Sequence, residues 1–153
     1  MIFNRQSNMS ISIPELRKFL LRVCKRLGLP GDSFTVALVS SSQMRRWNRM
    51  YRGKNQPTDV LSFPGDAPPR NSRPLPRPRR RLRFAPAPEY LGDVAIAPAV
   101  ARENARRFGR TFQQELRILI LHGILHLMGY DHEIDTGQME RRERRLRREL
   151  GLD

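Results

Sequence analysis

Residues 121–133 of this 153-residue chain read LHGILHLMGYDHE, and they hold all three of its histidines: His122, His126 and His132. Residues four apart on a helix are neighbours on one face, so His122 and His126 can point two imidazoles at one atom. Gly129 follows three residues later, and glycine accepts the left-handed conformation in which a helix ends. A turn there returns His132 as a third nitrogen. Three nitrogens on a tetrahedral ion leave one position open, the layout of a catalytic zinc site. One histidine in an apolar helix is ordinarily a satisfied core residue; three at these spacings predict a site for one zinc ion.

The spacing H-x-x-x-H-x-x-G-x-x-H is also that of the metzincin proteases. Those enzymes place a glutamate after the first histidine as general base, where this chain has Gly123. A zinc peptidase without that carboxylate is therefore a weak alternative. Gly123 has two readings: space beside the metal for a bulky substrate group, or close packing against a strand.

The elements that position these residues follow from pattern. Thr111 and Gln114 form a capping box for a helix that carries His122 and His126, with Leu116, Leu119, Ile120, Ile124 and Leu127 as its buried side. Upstream, SIPELRKFLLRVCKRLGL predicts a helix with a Ser12/Glu15 capping box and a stripe of Leu16, Phe19, Leu20, Val23 and Leu27. Residues 34–40, 59–63 and 91–97 predict strands, and residues 2–13 have some strand character. SSSQMRRWNRMYRG predicts a helix with Met44, Trp47 and Tyr51 on one face. Pro98 opens another, which Gly109 stops. A last helix, about 137–150, is dense in Arg and Glu, with Met139, Leu146 and Leu150 as a thin apolar stripe and the rest a solvated face. The expected fold is a single α+β domain: a small mixed four-stranded sheet with about five helices, and the zinc site at the end of a central helix.

Charge narrows the partners. The chain has 29 basic and 15 acidic residues, a net +14. Only Lys18, Lys25 and Lys54 are lysines, so 26 of the 29 are arginine. Such a field attracts polyanions, nucleic acid first; an arginine-rich genome is the bland explanation. Residues 64–88 hold eight of the twelve prolines and seven arginines. This segment predicts an extended insertion at about 64–90, either an RNA-binding arm or a tolerated surface loop. The longest apolar run, Ile118 to Met128, is too short and too polar to span a bilayer. One cysteine, Cys24, read as a buried small hydrophobe, and an N-terminus without a signal-like apolar run predict a reduced, cytoplasmic protein.

HGILHLMGYDH resembles the H-G-x-L-H-L-x-G-Y-D-H signature of the YbeY family of ribosomal RNA maturation factors. NRMYRGKNQPTDVLSFPG resembles that family's N-x-x-Y-R…P-T-D-V-L-S-F-P block, and LGDVAIA its L-G-D-I-x-I strand, in the same order. The resemblance implies a zinc-dependent, single-strand-specific endoribonuclease acting in 16S rRNA 3′-end maturation and ribosome quality control. Its partners would be ribosomal RNA and the small ribosomal subunit. Carried over by motif, His122, His126 and His132 are the zinc ligands and Arg52 is the active-site arginine. Asp131 is a candidate to orient a ligand histidine, and Trp47 and Tyr51 are candidates to stack bases, although their spacing also suits core packing. The insertion is longer and more basic than the family pattern. A ribosome assembly factor with a mainly structural zinc is the rival from another class.

Overall fold

The computed structural model describes residues 1–65, 90–130 and 135–153. Four strands form one mixed sheet: β1 (Ile2–Asn4), β2 (Phe34–Leu38), β3 (Val60–Pro64) and β4 (Gly92–Ile96), in the order β1-β2-β4-β3. β1 and β2, and β2 and β4, run parallel, whereas β3 pairs antiparallel with β4, Ser62 opposite Val94. Five helices complete the fold: α1 (Ile13–Leu27), α2 (Ser41–Arg52), α3 (Pro98–Arg107), α4 (Phe112–Leu127) and α5 (Gln138–Leu150). This is the expected α+β class with its four strands and five helices.

Strand alternation sorts the helices between the two faces of the sheet. Val36, Leu38, Val94 and Ile96 point into one core with the apolar residues of α1, α4 and α5. Ala37, Val39, Leu61 and Ala95 point the other way and meet Met44 and Trp47 of α2. α4 is the central helix. Leu116, Ile118, Leu119, Ile120, Leu121, Ile124, Leu125 and Leu127 are all buried, more than one stripe would require. Its start is the predicted capping box: the Gln114 amide donates to Thr111 Oγ1 at 3.1 Å, and the Thr111 amide donates to the Gln114 side chain at 2.9 Å.

The same pattern at Ser12 behaves differently. Ser12 is the N-cap of α1, but its hydroxyl makes no capping bond. Pro14 sits at the second helical position and has no N–H, which removes one of the two amides a capping hydroxyl reaches. Cys24 is buried, as expected. The ends of the Pro/Arg segment lie side by side, since the Gly65 amide donates to the Leu91 carbonyl at 2.9 Å. Residues 66–89 themselves lie outside the described residues, as does the arm proposed for them.

Candidate metal centre

His122 and His126 lie one turn apart on α4, as their spacing requires. Their Nε2 atoms are 3.1 Å apart, and the rings meet edge to face at 71°. Two nitrogens each 2.0–2.1 Å from one zinc ion at the tetrahedral angle stand about 3.3 Å apart. The pair is therefore spaced to share an ion, and imidazole is a donor that zinc favours. Among the described residues no group of three His, Cys, Asp or Glu gathers. His132, the predicted third nitrogen, and Asp131, the predicted orienting carboxylate, lie outside them. Gly129 adopts the predicted left-handed conformation, φ 92°, directly after α4 and before that segment.

A residue that sequence reasoning passed over holds the far side of His122. Glu143 of α5 is only 7% exposed, and its Oε2 lies 2.7 Å from His122 Nδ1. Its other oxygen accepts from the Arg147 guanidinium. An ionised carboxylate only accepts, so Nδ1 carries the proton in this contact, and in the neutral ring the lone pair then lies on Nε2, the nitrogen beside His126. Burial pushes the Glu143 carboxyl up, but His122 and Arg147 outweigh it and hold the group below its ordinary value. The expectation that the charges of α5 form a solvated face fails at this residue. Met139, Glu143, Leu146 and Leu150 are all buried, and they follow one another at three- and four-residue spacings. Glu143 thus occupies a place on the apolar stripe, the one signal that marked it.

Side chains anchor α5 at both ends. Asp135 accepts from the Gly137, Gln138 and Met139 amides at 2.7, 3.1 and 2.8 Å. These bonds, led by Met139, draw its carboxyl below the ordinary range. At the other end, Glu149 binds Arg26 of α1 at 2.6 Å. An open hollow beside His122 is lined by Met139, Glu140, Glu143, Arg144, Arg147 and Asp153.

Gly123 packs against the sheet. A Cβ there would stand 2.5 Å from Val94 Cγ1 and 3.1 Å from Cγ2. Ser62 donates to the Gly123 carbonyl at 3.1 Å. Of the two readings of this glycine, close approach to a strand is the one realised. Trp47 and Tyr51 also settle on core packing, each edge-on to Phe63 with ring centres 5.8 and 5.2 Å away.

Arg52 is the last residue of α2 and is exposed. It does not line the hollow beside His122, and α2 sits on the opposite face of the sheet from α4. The seven residues 53–59 connect it to β3, the strand whose Ser62 holds α4. That connection is braced where the Asn48 side chain donates to the Gln56 carbonyl at 2.8 Å. Asp59 accepts from Asn104 of α3 at 2.9 Å and from the Val60 amide at 2.8 Å.

Comparison with known proteins agrees with this architecture. The family model described as endoribonuclease YbeY matches residues 1–151. A Solibacter usitatus protein named endoribonuclease YbeY is 38% identical over 148 residues, 97% of this chain and 86% of that protein. A Koribacter versatilis protein of the same name is 39% identical over 152 residues, with 99% and 86% covered. The solution structure of TM1509 from Thermotoga maritima is similar with a TM-score of 0.60 at 30% identity, over 98% of this chain and 89% of that one. The chain belongs to the YbeY endoribonuclease family.

Proposed function

We propose that the protein is a zinc-dependent, single-strand-specific endoribonuclease that matures the 3′ end of small-subunit ribosomal RNA and serves ribosome quality control. The observation that carries the reading is the His122–His126 pair, with Nε2 atoms 3.1 Å apart and Glu143 on Nδ1 of His122. Family membership supplies the substrate class. His122, His126 and His132 would hold one zinc ion. When bound, zinc supplies Lewis acidity toward the scissile phosphate and an acidified water. Glu143 fixes the proton on Nδ1 and so presents the lone pair of Nε2. Arg52 binds a phosphate by paired N–H bonds and balances its charge as cleavage proceeds. Among the described residues no carboxylate pairs with the Arg52 guanidinium.

The test is cleavage of a single-stranded RNA by wild-type and His126→Ala protein purified in parallel, with zinc content measured in both. Cutting by wild type alone, with zinc lost from the variant, supports the reading. Equal cutting by both refutes it.

A further inference from the structure

We infer that α2 carries a docking track for the phosphate backbone of single-stranded RNA, built by Arg45, Arg46 and Arg49 and leading along the helix to Arg52. The inference rests on the nuclease reading for the identity of the polyanion. A groove beside α2 is lined by Ser41, Ser42, Arg45, Arg46, Arg49, Asn55 and Pro57. The three arginines are exposed. From Ser33 to Thr58 the chain contains no aspartate or glutamate.

Among the five helices of the described residues, α2 alone contains no aspartate or glutamate. Arg26, Arg110, Arg144, Arg145 and Arg147 each pair with a glutamate. Such pairing cancels charge locally and leaves little for a ligand. On α2 the only side-chain partner of the track arginines among the described residues is neutral: Arg45 Nε donates to Asn55 Oδ1 at 3.0 Å. That bond orients the guanidinium and leaves its positive charge uncancelled. The scaffold beneath is firm. Met44, Trp47 and Asn48 are buried, and the Ser40 hydroxyl caps the helix by accepting from the Gln43 amide at 3.2 Å.

Spacing makes the patch linear. Arg45, Arg49 and Arg52 follow at four and three residues, so they share one flank and span roughly 10 Å of helix axis. A row of uncancelled guanidiniums along an open groove suits a chain of phosphates better than a single small anion. The aromatic residues of α2 face Phe63 rather than the groove. The track therefore reads backbone and not bases, and its affinity has little base preference.

The test is binding of a fluorescein-labelled, unstructured 12-nucleotide RNA to the full chain, followed by anisotropy across a potassium chloride series. Wild type is compared with Arg45→Ala/Arg46→Ala/Arg49→Ala. The control, Arg5→Ala/Arg17→Ala/Lys25→Ala, removes the same charge from exposed positions outside α2. Each phosphate released from a single strand changes the slope of log K against log salt by about 0.7, so the α2 variant should lose about 2 from the slope. Over one decade of salt that is roughly 100-fold in affinity. The control should lose less than half as much. Equal losses in both variants overturn the track in favour of diffuse attraction. An unchanged slope in the α2 variant overturns it too, and leaves the patch to an acidic protein. Cleavage is scored separately in the wild-type sample. Binding that depends on α2 without cleavage upholds the track while the nuclease reading fails.

Discussion

Replacing Gly123 by alanine separates two reasons for having a glycine next to His122. On an exposed helix the change would stabilise, because alanine exceeds glycine by about 1 kcal/mol in helix propensity. Here the new Cβ would stand 2.5 Å from Val94 Cγ1, about 1 Å inside the ordinary 3.5–4.0 Å carbon contact. Rotating Val94 does not relieve this, because Cγ2 is also close, at 3.1 Å, and a β-branched side chain is stiff. Val94 cannot retreat, since it is fully buried on β4, between β2 and β3. α4 must instead lift off the sheet, which strains the Ser62 bond to the Gly123 carbonyl. Overpacking of this kind costs about 1–3 kcal/mol, and so close a contact falls at the upper end. After the propensity gain, Gly123→Ala should destabilise the protein by about 1–2 kcal/mol, a fall of roughly 3–8 °C in Tm.

The assay is urea unfolding of Gly123→Ala, Val94→Ala and the double variant. Val94→Ala alone loses two buried methyls at about 0.8 kcal/mol each, plus a cavity. In the double variant the methyl added at position 123 enters that cavity, so the two changes should couple favourably by at least about 1 kcal/mol. A Gly123→Ala protein as stable as wild type, with additive behaviour in the cycle, would falsify the packing account. If RNA cleavage then fell while stability held, the glycine would be keeping space beside the metal instead.

Three further outcomes follow from the same contacts. Glu143→Ala should weaken zinc binding by about 10–100-fold, because His122 loses the acceptor that sets its tautomer; competition with a chromogenic chelator reads this, and unchanged affinity would remove Glu143 from the centre. Arg52→Lys should fail to restore cleavage lost in Arg52→Ala, since an ammonium cannot make two parallel bonds to a phosphate; full activity in the lysine variant would end the bidentate assignment. Hydrogen bonds from Arg26, then Arg145, pull the Glu149 carboxyl down to about 2. A depressed carboxyl stabilises the fold above its unfolded value, about 4.3, and that contribution fades as pH falls toward 2. Glu149→Gln should therefore flatten the acid limb of thermal stability between about pH 4 and 2, and a limb of unchanged steepness would show that the α1–α5 link is not what titrates.

What could be read in advance, and what could not, divides at the boundary between local and tertiary causes. The i, i+4 histidines, the Thr111/Gln114 box and the left-handed Gly129 depend on residues within a few positions of one another, and each appears as its spacing implies. The Ser12/Glu15 box has the same letters, yet Ser12 makes no capping bond and the Glu15 carboxylate accepts from Lys18 instead. Gly123 looked ambiguous because its cause, Val94, lies 29 residues away on a strand. Glu143 was passed over for the same kind of reason: its partner His122 is 21 residues away on another helix.

Yet Glu143 was not wholly invisible. A helix as charged as α5 has only a thin apolar stripe, and a carboxylate on that stripe must be desolvated when the helix packs. Burying a carboxylate is costly unless it is paired and hydrogen-bonded. Its place between Met139 and Leu146 therefore demands cationic or N–H partners within reach. Arg147 meets half of that demand from one turn along α5. The other oxygen needs a donor from whatever the helix packs against, and α4 offers His122 Nδ1 at 2.7 Å. The charged helix thus does more than cover the core. Asp135 caps its start and Glu149 binds α1 near its end, and between these anchors it delivers one buried carboxylate to the imidazole whose opposite nitrogen would face the proposed zinc ion.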